Sequence, residues 1–328
     1  MPVKTLIEGI REALDEELAR DERVWILGED VGKKGGVFLA TDGLYDKYGE
    51  ARVLDTPLAE SCIVGVAIGS ALNGLIPVAE IQFADFIHPA FDQIVSEAAR
   101  IRYRSNGDYS CPITVRAPYG GGVHGGLYHS QSVEAFYAHV PGLKVVMPST
   151  PADAKGLLKS AIRDPDPVVY LEHKKTYRLI KDEIPEDSDL LVPIGPAAIR
   201  REGRHVSVFA YGLMTHYCLQ AAEAVAGDGI DVEVIDLRTV KPLDKTTVLE
   251  SVRKTARALI VYEDNLTGGF GAEVAAVIAE EAFDHLDAPV TRVAAPDVPA
   301  MPFNKAQEDA FLPSPERIAD AIRKLVRY

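Results

Sequence analysis

Apolar residues recur along this chain with two alternating periods. Leu6, Ile10, Leu14 and Leu18, four apart, lay a stripe on one face of a first helix, and Thr5-x-x-Glu8 ahead of it reads as a capping box. Short apolar runs at 24–27, 76–81, 113–119, 144–147 and 168–171 predict strands. Between them lie helical patterns. One opens at Thr56-Pro57, threonine as cap and proline at the first helical position, and runs through Ile63, Val64, Ala67, Ile68 and Ala71. It is small and apolar nearly all round, which predicts a buried helix whose first-turn Glu60 enters a protein interior or an interface rather than water. Further helices are expected over 89–103, over 133–139, and from Thr150-Pro151-x-Asp153 to about residue 162. Strand and helix in alternation imply a mainly parallel sheet covered on both faces.

Residues 174–196 interrupt the pattern with charges and prolines, and the alternation then resumes. Strands at 205–210, 232–237, 258–262 and 290–294 alternate with helices at 215–226, 245–255, 271–283 and 315–327. The fold class is therefore α/β throughout. Two domains are expected, 1–180 and 199–328, joined by a linker at 181–198. A length of 328 residues suits two domains with separate cores, and no repeat relates the halves.

The formal charge of −14, with no basic cluster to interrupt it, argues against nucleic acid and anionic membrane as partners. Small molecules and proteins remain. Cys62, Cys111 and Cys218 are far apart, with neither CxxC nor zinc spacing, and read as reduced buried thiols. Glu8, Glu12, Asp15, Glu16 and Glu17 make the N-terminus unlike a targeting presequence, so a soluble cytoplasmic protein is expected.

Candidate chemistry concentrates in the stretch Arg116 to Ser132. Five glycines in the seven positions from Gly120 to Gly126 follow a strand and precede His129-Ser130-Gln131-Ser132, with His124 inside the run. Glycine permits positive φ and close backbone approach, so this reads as a loop shaped around something. Gly120-x-Gly122-x-x-Gly125 also has dinucleotide-fingerprint spacing, but no helix opens at its third glycine and the next strand carries no acid. Elsewhere, Glu29 and Asp30 end a strand, where open α/β sheets place ligands, although a solvated loop would look the same. Glu60 taken by itself reads first as an exposed acid complementing the helix dipole.

Taken together, Gly28-Glu29-Asp30-Val31-Gly32, Asp55-Thr56-Pro57-Leu58-Ala59-Glu60, Gln82-Phe83-Ala84-Asp85-Phe86, the glycine loop with His129-Ser130-Gln131-Ser132, Pro148-Ser149-Thr150-Pro151 and Asp236-Leu237-Arg238-Thr239 resemble one family. It is the beta subunit of the thiamin-diphosphate-dependent decarboxylase component of 2-oxoacid dehydrogenase complexes. The resemblance spans the chain in order. It is greatest to the branched-chain type, with the pyruvate and acetoin types as alternatives.

The resemblance implies a pyrimidine-binding domain followed by a transketolase-type C-terminal domain, in an assembly of two alpha and two beta chains. The alpha chain would supply magnesium and diphosphate binding. Gly227-Asp228-Gly229 does not replace it: no Asn pair follows, and the position reads as a helix C-cap. Glu60 matches the carboxylate bonded to N1′ of the cofactor's aminopyrimidine, and Leu58, Gln82 and Phe86 match pyrimidine contacts, with Glu29 close by. Many relatives carry tyrosine at the position of Phe86. His129 matches the histidine that assists acyl transfer to the lipoyl group of the acyltransferase core by giving a proton. His124 is either a second active-site imidazole or a polar loop residue. Ile113, Thr114, Ala161, Ile162, Asp164 and Asp166 match a potassium site, where Asp166 in place of an asparagine would make the site more anionic. A self-sufficient transketolase-like enzyme and a non-catalytic scaffold subunit are the alternatives of other classes.

Overall fold

β1 (Val3–Thr5) leads into Thr5, which forms both halves of the capping box with Glu8, and α1 (Leu6–Arg20) buries the stripe of Leu6, Ile10, Leu14 and Leu18. The computed structural model describes residues 2–185, 187 and 189–328. It divides into two units, Met1–Tyr119 with Phe136–Ile194, and Gly120–Ala135 with Gly195–Tyr328.

After α1 the chain runs through β2 (Val24–Gly28), α2 (Leu44–Tyr48), β3 (Val53–Asp55), α3 (Glu60–Leu72), β4 (Ile76–Glu80), α4 (Ile101–Arg104), β5 (Thr114–Tyr119), α5 (Glu134–Ala138), β6 (Lys144–Val146), α6 (Pro151–Ile162), β7 (Val168–His173), α7 (Thr176–Leu179) and β8 (Lys181–Glu183). The strands of the first unit lie in the order β6-β7-β5-β4-β2-β3, every neighbouring pair parallel. All residues of β4, β5 and β7 are buried, as expected of strands covered on both faces.

Four local expectations need correction. Helix α3 starts at Glu60, not at Pro57, with Ala59 as an N-cap that offers no side-chain acceptor. The Thr56 amide is already committed to the carbonyl of Gly28 at 2.9 Å, which holds the preceding segment against β2. The helix is also not buried all round: Ile63, Val64, Ala67, Ile68 and Ala71 face the core, while Cys62, Val66 and Leu72 are exposed. The expected helix over 89–103 is a succession of 3₁₀ turns, a π-helical turn at Gln93–Glu97 and the short α4. Finally, the charged stretch after Lys174 is partly ordered: α7 forms, and β8 pairs antiparallel with β1.

The second unit contains β9 (Ala198–Arg201), β10 (Val206–Ala210), α8 (Leu213–Ala226), β11 (Val232–Asp236), β12 (Thr239–Lys241), α9 (Lys245–Thr255), β13 (Ala258–Asn265), α10 (Gly271–Glu281), β14 (Thr291–Ala295), α11 (Lys305–Phe311) and α12 (Pro315–Leu325). Its sheet order is β14-β13-β10-β11-β9, parallel except for the edge strand β9. One face of α8 and one of α12 close its core through Met214, Cys218, Ala221, Ile318 and Ile322. Gly227 caps α8 and Gly229 takes a positive φ of 78°, so Gly227-Asp228-Gly229 is the helix end that its position implied. Among the described residues, no helix is long and apolar enough to cross a membrane.

One ion cluster crosses the centre of the first sheet. Arg116 on β5 is fully buried and grips Glu172 on β7 with two nitrogens at 2.7 and 2.8 Å, while a third donates to Glu80 on β4 at 2.6 Å. The Tyr177 hydroxyl donates to the same Glu172 at 2.5 Å. Burial raises the Glu80 carboxyl above its usual range, although Arg116 beside it pulls the other way. Removing one partner from such a cluster strands a buried charge. Glu172→Gln is therefore expected to destabilise the first unit by about 3–5 kcal/mol, read as a lower denaturant midpoint. A change no larger than a surface substitution gives would show that the cluster is not a structural anchor.

Candidate active site

The parallel strands β2, β3 and β4 end together, and the segments leaving them carry the first group of candidates. Gly28 admits close packing: a Cβ there would lie 2.6 Å from the Glu80 carbonyl. The loop beyond it is pinned by Gly36 N–H to the Asp30 carbonyl at 2.8 Å, by Gly32 N–H to Asp55 Oδ1 at 2.6 Å, and by the Thr41 hydroxyl to the Val31 carbonyl at 2.7 Å. Gln82 reaches across to the same loop, its Nε2 lying 3.5 Å from the Glu29 carbonyl and 3.4 Å from Asp30 Oδ2.

Glu29 and Glu60 are brought together here. Burial, then the charges of Asp30 and Glu60, raise the Glu29 carboxyl above its usual range. Neither the Glu29 nor the Glu60 carboxylate has a hydrogen-bond or ion-pair partner among the described residues. Two acids without a hydrogen-bonding partner, one just past the end of β2 and one opening α3, suit a cationic or proton-bearing ring. Phe86 stacks edge-on against Phe83 at 5.9 Å, half-buried. Leu58 is 69 % exposed, so this chain by itself leaves it open.

The glycine loop belongs to the second unit and is a closed structure. Its neck is the hydrogen bond from Gly120 N–H to the Gln131 carbonyl at 3.0 Å. Gly120, Gly122, His124 and Gly126 all have positive φ, and glycine at three of the four relieves the strain that the conformation imposes. Two buried acids hold the interior amides. Gly121 N–H donates to Glu263, and Glu308 Oε1 accepts from Gly122 N–H at 2.8 Å and from His124 N–H at 3.3 Å. His129 follows a 3₁₀ turn and packs on Gly125, where a Cβ would come within 2.6 Å of the His129 carbonyl. His124 lies against Glu308, its Nδ1 2.6 Å from Oε2. Glu60 and His129 thus stand in different units, one at the start of α3 and one in this loop.

The six residues of the expected cation site all lie in the first unit. The Thr114 hydroxyl is buried with no hydrogen-bond partner among the described residues, an orphaned oxygen of the kind a cation satisfies. The Ile113 carbonyl accepts one hydrogen bond, from Val168, and keeps a second lone pair, whereas the Ala161 carbonyl already accepts from both Arg163 and Asp164. Ile162 is buried in the last turn of α6. The acids, however, are already paired: both oxygens of Asp164 lie 2.6 Å from Lys144 Nζ, and Asp166 meets Arg102 Nε at 2.5 Å. The site is therefore not the more anionic one that Asp166 suggested. What stays open is a set of neutral oxygens, which suits a large monovalent cation better than a divalent one. No group of three or more His, Cys, Asp or Glu able to hold a metal occurs among the described residues.

Sequence reasoning passed over Glu80, Glu172, Glu263 and Glu308. The last two act on residues 142 and 186 positions away, and no local pattern carries such a contact. Glu134, which opens α5, was missed for the same reason; burial first and then Asp264 raise its carboxyl well above the usual range, while the Tyr211 hydroxyl donates to it at 2.8 Å.

Residues 4–180 match the model of the transketolase pyrimidine-binding domain, and residues 195–318 that of the transketolase C-terminal domain. Over the full length of both chains, the sequence is 58 % identical to the 2-oxoisovalerate dehydrogenase subunit beta of Bacillus subtilis (strain 168), and 49 % identical to the pyruvate dehydrogenase E1 component subunit beta of the same organism. It is 50 % identical to the mitochondrial 2-oxoisovalerate dehydrogenase subunit beta 2 of Arabidopsis thaliana, covering 98 % of this chain and 89 % of that one. Among solved structures, a split-gene transketolase described as an inactive beta4 tetramer superposes with a TM-score of 0.78 at 26 % identity, covering 98 % of each chain.

The open oxygens around Thr114 generate a salt-specific expectation. The wild-type chain should melt at a higher temperature in potassium chloride than in tetramethylammonium chloride at equal ionic strength, and Thr114→Val should erase the difference. Equal melting of the wild type in both salts would show that no cation is held there.

Proposed function

This chain belongs to the beta subunits of 2-oxoacid dehydrogenases, with their transketolase-type pyrimidine-binding and C-terminal domains, and on that premise we propose that it forms half of a thiamin-diphosphate site that decarboxylates branched-chain 2-oxo acids and passes the acyl group to a lipoyl disulfide. The observation that carries the proposal is the Glu60 carboxylate. It has no partner among the described residues, and it opens a helix whose outer apolar face stays exposed in this chain. Both features suit an alpha chain that covers α3 and completes the pocket with magnesium and the diphosphate-binding residues. An arrangement of two alpha and two beta chains and attachment to an acyltransferase core complete the reading.

When bound, thiamin diphosphate supplies the carbon nucleophile and the electron sink for decarboxylation. Glu60 would share a proton between its carboxylate and N1′ of the pyrimidine, which would favour the ring tautomer able to act as a base. Glu29, Gln82, Phe86 and Leu58 would contact that ring and orient it. His129 gives its proton to the sulfur released when the lipoyl S–S bond breaks and the other sulfur bonds to the acyl carbon. Thr114 and the carbonyl oxygens of Ile113, Ala161 and Ile162 would be the neutral contacts of a potassium ion bracing the first unit, with Asp164 and Asp166 beside it, held by Lys144 and Arg102. A second reading, with pyruvate as substrate, is favoured by the 49 % identity to the pyruvate dehydrogenase beta chain, and relative turnover of pyruvate and 2-oxoisovalerate separates the two.

The role given to His129 predicts that two activities come apart. In the assembled enzyme, His129→Ala should still decarboxylate substrate when an artificial oxidant collects the electrons, while acylation of a lipoyl domain falls by about 10² to 10⁴. An equal fall in both would move His129 to an earlier step and overturn the assignment.

A further inference from the structure

The loop that carries His129 is clasped from one side by a single C-terminal segment. Glu308 on α11 is fully buried and spends Oε1 on two loop amides, Gly122 and His124, while its Oε2 faces His124 Nδ1 at 2.6 Å. Met301 and Phe303, just ahead of α11, close over the same loop. A Cβ on Gly121 would fall 2.1 Å from the Met301 sulfur, and one on Gly126 would lie 3.3 Å from the Phe303 ring. The Gly121 amide is held by Glu263. All of these residues lie in the second unit.

We infer that Glu308 is a positioning residue for acyl transfer: by fixing the amides of Gly122 and His124 it sets the path of the loop through Gly125, and thereby the place of the His129 imidazole. The physical reason is that residues 120–126 cannot hold this path by themselves. Five of the seven are glycines and four take positive φ, so the unrestrained segment has a wide choice of conformations. A buried carboxylate receiving backbone N–H bonds is a strong restraint, because each charge-assisted bond is about twice as strong as a neutral one. Gly125 transmits the restraint, since the backbone and Cβ of His129 pack against it with no room for a side chain. On this account the His124 imidazole, itself at a positive φ of 58°, is part of the clasp and does not act on substrate.

The inference rests on the acyl-transfer role of His129, and its test keeps the two separable. In the enzyme assembled with its alpha chain, Glu308→Ala should lower kcat for acylation of a lipoyl domain about 10- to 100-fold, the scale on which misplacement of a reacting group is felt. The KM for the 2-oxo acid and decarboxylation with an artificial oxidant should change little. Glu308→Gln keeps an acceptor for the two amides and should restore most of the loss. Hydrogen exchange at residues 121–124 should accelerate about tenfold or more in the alanine variant but not in the glutamine one. Unchanged exchange in Glu308→Ala overturns the clasp whatever the chemistry proves to be. Faster exchange with acylation and decarboxylation falling equally overturns the positioning role, whereas faster exchange with no acyl transfer even in the wild type removes the underlying reading of His129 and leaves the clasp standing.

Discussion

A fully buried arginine at the centre of a parallel sheet is the constraint on which the first unit depends. Arg116 ties β5 to β4 through Glu80 and to β7 through Glu172. Ions taken from water in this way are tolerated only when each is met by good geometry, and here the guanidinium fork and the Tyr177 hydroxyl supply it. The anchor lies near the ends of the strands from which the functional segments leave. Gly28 packs against the Glu80 backbone, a Cβ on Gly36 would lie 3.2 Å from a Glu80 carboxylate oxygen, and Gln82 follows two residues on. Charge burial in the sheet thus fixes the starting points of the loop holding Glu29 and of the turn holding Gln82 and Phe86.

The second unit solves a different problem. Its glycine loop has little intrinsic shape, and buried acids from β13 and α11 give it one. The two candidate groups with reactive roles are therefore held by unlike means. Glu60 sits on the first turn of a helix, rigid because α3 packs one face on the core, whereas His129 sits on a loop that is only as well placed as the carboxylates beneath it.

Local signals were legible where one short stretch decides the outcome. The Thr5 capping box, the Thr150 and Pro151 start of α6 and the strands buried on both faces all follow from nearest-neighbour chemistry. Reading failed where a distant contact overrode local preference. Thr56-Pro57 looks like a helix start, yet the amide of Thr56 is spent on Gly28 and the helix waits until Glu60. β8 and β9 are charged and lie at sheet edges, so they carry no apolar alternation to read. At the site, the family resemblance pointed to Glu60, His129 and the acids at 164 and 166. Their partners did not show: Lys144 neutralising Asp164 and Glu308 gripping the loop are matters of tertiary placement. The apolar character of α3 was legible, but the sequence left open whether an interior or an interface takes it; in this chain one face packs on the core and Cys62, Val66 and Leu72 stay exposed.

The central claim is that this chain holds one half of a cofactor site, contributing Glu60 and leaving diphosphate and magnesium to a partner. Calorimetric titration of thiamin diphosphate with magnesium into the chain alone, and into the chain assembled with its alpha subunit, tests it most directly. The account predicts weak binding to the chain alone, tight magnesium-dependent binding to the assembly, and weaker binding when the assembly carries Glu60→Gln. Tight magnesium-dependent binding to the chain alone would contradict it.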